Sequence, residues 1–168
     1  MPMSALAPQP SSDPVAAFTA CHDRIRRFLD GLSRIAELPD LADPRVPEAA
    51  AQAHRYFAEG LPLHAADEDD SLAPRLRRVV PESGQLLDEL AADHRAIDAV
   101  LATLLSILQA AADGRPVSHA SLRADVTRLR ALLLPHIARE EEVLFPLCAA
   151  LSPSDRLEIG RELMSRRR

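Results

Sequence analysis

Histidine and glutamate stand four residues apart twice in this sequence, as His64-x-x-x-Glu68 and His136-x-x-x-Glu140, the second pair 72 positions after the first. On an α-helix, residues at i and i+4 share a face about 5–6 Å apart at Cβ, so an imidazole and a carboxylate placed this way can grip one metal ion or two adjacent ones. The same step carries His22 onto His94, and Ile25, Leu29, Leu32 and Ile35 onto Ile97, Leu101, Leu104 and Ile107. Leu72 and Pro74 recur as Leu144 and Pro146. Four histidines and two glutamates therefore obey one internal repeat.

These six residues interrupt otherwise apolar seams, and the seams contain no Arg or Lys to neutralise the acids. An unpaired carboxylate in an apolar interior is very costly, so the charge deficit asks for a cation. Imidazole nitrogen with carboxylate oxygen, and no thiolate, suits Fe, Mn, Zn or Cu. Two carboxylates shared among four histidines favour a pair of ions bridged by Glu68 and Glu140, with two of the histidines on each. The competing account is a metal-free core in which the six polar groups bond one another.

The elements that must position them are helices. Val15, Phe18, His22, Ile25, Leu29, Leu32 and Ala36 recur at steps of three and four, behind Ser12 as an N-cap with Asp13 and Pro14 in the first turn. The helix should end before Pro39. A second helix from about Pro47 carries Ala50, His54, Phe57, Leu61, His64 and Glu68, with a kink expected at Pro62 and a weak point at Pro74. Ser83 opens a third, with Leu87, Leu90, His94, Ile97, Leu101, Leu104 and Leu108 in its seam, stopped by Asp113-Gly114-Arg115-Pro116. The fourth, from Ser118, carries Leu122, Val126, Leu129, Leu133, His136, Glu140, Val143 and Leu147, and Ser152-Pro153-Ser154-Asp155 starts a short fifth. Long amphipathic helices on short loops predict an all-α, antiparallel up-down-up-down four-helix bundle with a short additional C-terminal helix. Counted from the loops at about 1.5 Å per residue, all four histidines fall within about one turn of the same level.

The arrangement His22, His64-x-x-x-Glu68, His94, His136-x-x-x-Glu140, with the Glu-Glu-Glu-Val-Leu-Phe-Pro run after the last motif, resembles the hemerythrin-like HHE cation-binding family over about residues 13–150. The resemblance implies a non-haem, oxygen-bridged pair of iron ions held by His22, His64, Glu68, His94, His136 and Glu140. It further implies O2, peroxide or nitric oxide as small ligand, or iron handling. Ferritin-like bundles use Glu-x-x-His at i, i+3 instead. Oxygen-carrying hemerythrins supply another histidine four residues after the one matching His94, and here that position is Asp98. By the resemblance each iron then keeps an open position, which favours peroxide chemistry or sensing over reversible carriage. Asp98 either binds a metal itself or pairs with its repeat mate Arg26. Two alternatives of other classes stand beside this reading: a di-iron peroxidase or catalase-like enzyme, and a structural or regulatory bundle.

Length and composition fit one domain: 168 residues, 47% of them hydrophobic, can bury a sizeable core. Residues 1–12 read as disordered, 13–150 as the bundle, and 151–168 as a C-terminal helix with an Arg-rich tail. A net charge of −5 gives no basic nucleic-acid footprint. The start has no charged region before an apolar one, no run of about 18 apolar residues is present, and two cysteines make no disulfide framework, so a cytoplasmic protein off the membrane is expected. Asp67, Asp69, Asp70, Glu141 and Glu142 point away from the ligand face and read as solvated surface. Arg166-Arg167-Arg168 reads as a solvated helix end and His119 as exposed. His54 reads as a core or bundle-end histidine, Tyr56 as packing, and Cys21 and Cys148 as small buried residues.

Overall fold

The computed structural model describes residues 13–168, and among these every regular element is helical. The expected disorder of 1–12, with Ser12, lies outside the described residues. Helix α1, Pro14–Ala36, is opened by Asp13 instead: its backbone is extended and its side chain accepts from the Val15 N–H at 3.0 Å, leaving Pro14 at the first position. Helix α2 is a continuous run over 46–79, and a short 3₁₀ turn, Pro81–Ser83, leads into α3, Gly84–Ala112. Gly114 ends α3 at φ 69°, its N–H bonding the Ala111 carbonyl while Arg115 N–H bonds that of Ala110. That pair of bonds needs a left-handed residue, which glycine supplies. Helix α4 runs over 119–147 behind the Ser118 cap, and α5, Pro153–Ser165, behind Ser152.

Two of the long helices widen instead of breaking at Pro62, Pro74 and Pro146, whereas Pro135 sits in a regular stretch of α4. α2 contains π turns at Tyr56–Gly60 and Asp67–Leu72, and α4 contains one at Glu140–Leu144. Each ends two residues before a proline: Pro62, Pro74 and Pro146. In each, the residue preceding the proline gives its N–H to the carbonyl five back, namely Leu61 to Tyr56, Ala73 to Glu68 and Phe145 to Glu140. A proline has no N–H to give, and its ring clashes with the carbonyl four back in a regular ladder. A wider turn there absorbs both defects and lets the helix continue. So the kink expected at Pro62 and the weak point at Pro74 are wide turns. The extra residue also shifts the helical phase: Leu144 and Cys148 are buried where Val143 and Leu147 were expected, and Val143 is 46% exposed.

Helix α1 packs on α2, α2 on α3, α3 on α4, and α4 back on α1. Their buried faces form two apolar clusters. One contains Ile25, Leu29, Phe57, Leu61, Ile97, Leu104, Leu129 and Leu133. The other contains Phe18, Leu72, Leu76, Leu90, Leu144 and Phe145, and α5 completes it with Ile159 and Leu163. Helix α3 with its leading turn is long and apolar enough, by length and composition, to cross a membrane, yet its Leu87, Leu90, Ile97, Leu101, Leu104 and Leu108 belong to these clusters.

The C-terminal tail is more than a solvated end. Arg166 and Arg167 both reach the Asp67 carboxylate, which is fully buried, and Arg166 also donates to Ser71 Oγ at 2.8 Å. Asp67 therefore does not lie on solvated surface: α5, whose position sequence periodicity does not give, covers that side of α2. Replacing both arginines by Ala strands a buried carboxylate. We predict a loss of about 2–3 kcal/mol, below the about 3–5 kcal/mol of a fully buried pair because both arginines are partly exposed. Urea midpoints measure it, and Asp67→Asn in the double-Ala background should recover most of the loss.

Candidate metal centre

Between the two apolar clusters lies a polar layer. His22 comes from α1, His64 and Glu68 from α2, His94 from α3, and His136 and Glu140 from α4; all six are buried. Both glutamates stand at the starts of π turns, Glu68 one residue inside Asp67–Leu72 and Glu140 first in Glu140–Leu144. Wide turns recur at functional sites, and here the 72-residue repeat reproduces one beside each glutamate.

The nitrogens and oxygens converge in a regular way. Glu68 Oε1 lies 3.4 Å from His64 Nε2 and 3.9 Å from His22 Nε2, while its Oε2 lies 3.3 Å from His94 Nε2. Glu140 Oε2 lies 3.1 Å from His22 Nε2, and its Oε1 lies 3.0 Å from His136 Nε2. Each carboxylate thus turns one oxygen to each pair of histidines. Donor atoms of His22, His64, Glu68 and Glu140 lie within 4.8 Å of one another, and so do those of Glu68, His94, His136 and Glu140. Neither glutamate has a hydrogen bond in correct alignment, nor do the Nε2 atoms of His22, His64 and His94. Buried carboxylates without donors are rare in native interiors. The donor set fits a cation, and its two overlapping groups fit two.

The opposite ring edges are anchored. His22 Nδ1 donates to Glu141 at 2.9 Å, His94 Nδ1 to Asp69 at 3.0 Å, and His136 Nδ1 to Asp93 at 3.3 Å. A carboxylate only accepts, so each bond places the ring proton on Nδ1 and turns the Nε2 lone pair towards the glutamates. Arg26 holds Glu141 at 2.7 Å, and Arg139 holds Asp93.

Charge balance explains the titration. Burial works against a charged His22, but Glu140 and Glu68 outweigh it and raise its pKa to about 10. His94 is likewise raised to about 10, by Asp69 and Glu68 against burial. His136 is raised, with Glu140 overcoming burial, whereas at His64 burial wins and the pKa falls. Burial also works against a charged Glu68, yet the surrounding histidines hold it well below the ordinary glutamate value. Without another cation, protons on the histidines must neutralise the two acids.

Several sequence expectations change here. Asp69 and Glu141 are outer partners of histidines. A residue next to such a glutamate points about 100° around the helix, which here brings it beside a histidine of a neighbouring helix, Asp69 staying exposed as expected and Glu141 being half-buried. Their repeat relation, 69 to 141, is the signal that marks them. Asp93 is absent from the sequence reading, since its repeat mate is Cys21 and nothing in the pattern distinguishes it. Asp70 and Glu142 are exposed as expected. Asp98 is exposed and belongs to neither donor group, and Arg26 binds Glu141 and Asp23 instead of Asp98. His119 is half-buried, its Nε2 2.7 Å from the Ala36 carbonyl. Tyr56 stacks on Phe28 at 4.0 Å, and His54 is half-buried. Cys148 is buried, with its thiol pKa pushed up to about 11 by desolvation, and Cys21 is partly buried.

A cavity of about 10 Å³ opens beside the polar layer. Its walls are Ile25, Leu61, Ile97 and Leu133, it reaches His64, His94 and His136, and Asp98 stands at its exposed edge. That volume holds about one water-sized molecule.

An uncharacterized protein of Haemophilus influenzae (strain ATCC 51907 / DSM 11121 / KW20 / Rd) is 32% identical over 88 residues, covering 49% of this chain. The chain thus spans about half the length of that curated relative, 49% of it. The family model of the hemerythrin HHE cation-binding domain matches residues 13–148. With paired His/Glu motifs converging on one buried layer, the chain belongs to the hemerythrin HHE cation-binding domain family.

Proposed function

We propose that this protein holds an oxygen-bridged pair of non-haem iron ions and binds or senses O2, peroxide or nitric oxide there, in the cytoplasm. The observation that carries the reading is the splayed carboxylates: Glu68 and Glu140 each direct one oxygen to the His22/His64 side and the other to the His94/His136 side. His22 and His64 would hold one ion, His94 and His136 the other, and both glutamates would bridge. An antiparallel up-down-up-down order of α1 to α4 belongs to the same reading. Bound iron supplies reversible one-electron chemistry and an open coordination position for a small ligand. The chain supplies the rest. Glu141, Asp69 and Asp93 fix ring orientation, the apolar clusters exclude bulk water from either side, and a small cavity reaches His64, His94 and His136.

Peroxidase or catalase turnover would use the same centre, with Asp98, the acidic residue among those lining the cavity, at its edge to exchange protons with a ligand inside. Evolution of O2, or oxidation of a donor, beyond that of free iron on adding peroxide would move the assignment to that class.

Protein purified from iron-supplemented cells should carry about two irons per chain and show near-ultraviolet charge-transfer bands that bleach on reduction and return in air. A well-folded helical protein that takes up neither iron nor manganese would overturn the reading. His64→Ala and His136→Ala should each weaken metal binding by more than the about 10–100-fold typical of losing an outer-shell partner, with helicity kept.

Stability of the metal-free protein should depend on pH with a definite sign. His22 and His94 titrate near 10 when folded, against 6.5 ordinarily, so their contribution is complete below about 6.5 and is lost as pH rises through 10. The Tm of the chelator-treated protein should therefore fall between about pH 7 and pH 10. Saturating metal should flatten that fall, because ions replace the protons. A metal-free Tm that is level over this range would contradict the charge balance.

A further inference from the structure

We infer that the two ion positions are unequal, the one between His94 and His136 being the tighter, because His64 alone among the four histidines has no outer acceptor. The inference rests on the two-ion reading above and concerns how this chain's own residues divide the site. His22, His94 and His136 each donate Nδ1–H to a carboxylate. His64 Nδ1 is buried and has no hydrogen-bond partner among the described residues. The inner carboxylates do not discriminate: each half receives one oxygen of Glu68 and one of Glu140, at 3.0–3.4 Å from the nearest Nε2 of that half. Nor do the arginines behind the outer acids, since Arg26 backs Glu141 on one side and Arg139 backs Asp93 on the other. The difference between the halves reduces to one missing bond, at His64.

The repeat locates what is missing. A shift of 72 positions turns Glu141–His22 into Asp69–His94, so an acid beside each inner glutamate holds the first histidine of the other half. The same shift carries Asp93–His136 back onto Cys21–His64. Arg139, which holds Asp93, has its counterpart in space as well: the Arg167 guanidinium lies beside Cys21 and acts on its thiol. By repeat position, a thiol thus takes the place of the carboxylate that the other half has. An outer acceptor orients the ring and raises ligand basicity, and losing one costs about 10–100-fold in metal affinity.

Stepwise titration of the metal-free full chain with Mn(II) and Co(II), read by calorimetry and by the Co(II) absorption bands, tests this. Repulsion between two dications splits the steps even in an equal pair, so the variants decide. His64→Ala should keep the tight step and lose the weak one, whereas His136→Ala should lose the tight step. Cys21→Asp, with Arg167 beside it as Arg139 is beside Asp93, should raise the weaker affinity about tenfold or more and draw the steps together. Asp93→Asn should weaken the tight step by a similar factor. If His64→Ala and His136→Ala remove the same step, or Cys21→Asp leaves the gap unchanged while circular dichroism reports an intact helical fold, the halves are equal and the inference is overturned. If the unaltered chain binds neither ion, the two-ion reading itself fails, and the inference with it.

Discussion

Two carboxylates buried in an apolar interior with no aligned hydrogen-bond donor are the constraint on which the rest of this molecule turns. Glu68 and Glu140 are 4% and 0% exposed, and an unpaired ion at such depth is tolerated only with compensating charge. No arginine reaches either one among the described residues; the nearest cationic groups are imidazoles. Arginines serve two of the three outer acids instead, Glu141 and Asp93. The inner layer is left deficient in positive charge, which suits it to a cation.

Backbone and site are solved together. The π turns let α2 pass Pro62 and Pro74, and α4 pass Pro146, without breaking, and the turns at Asp67–Leu72 and Glu140–Leu144 also rephase each helix directly after its His/Glu pair. Before the turn in α4, His136 and Glu140 face the layer; after it, Leu144 and Cys148 face the second apolar cluster. One helix therefore supplies two candidate ligands and a hydrophobic cover from nearly the same azimuth.

The helices, their seams and the six inner residues were legible because each is written in a local period: steps of three and four for burial, and the 72-residue step for the motif. What stayed hidden depends on neighbours. Asp69, itself exposed, and Glu141 differ from Asp70 and Glu142 in the histidine that the adjacent helix presents to them, and Asp93 carries no periodic mark at all. Asp67 with Arg166 and Arg167 required the position of α5, a helix whose own period says only that it is amphipathic. The phase shift that exposed Val143 was in principle readable, since a proline follows each glutamate at the same spacing, Pro74 after Glu68 and Pro146 after Glu140.

The placement of α5 makes the end of the chain part of the centre's environment. Its Ile159 and Leu163 complete the apolar cluster on one side of the polar layer, and its trailing arginines bind Asp67, the residue immediately before Glu68. Arg75 is tied to Glu158 and Glu162, and Arg78 to Asp155, so α2 and α5 are pinned at both ends of their contact. Loosening α5 would then do two things at once: it would wet the cluster that keeps bulk water from the glutamates, and it would release a buried acid beside one of them. Both raise the local dielectric and weaken the attraction between the carboxylates and any cation they hold. A helix that contributes no ligand thus bears on how firmly the ligands act.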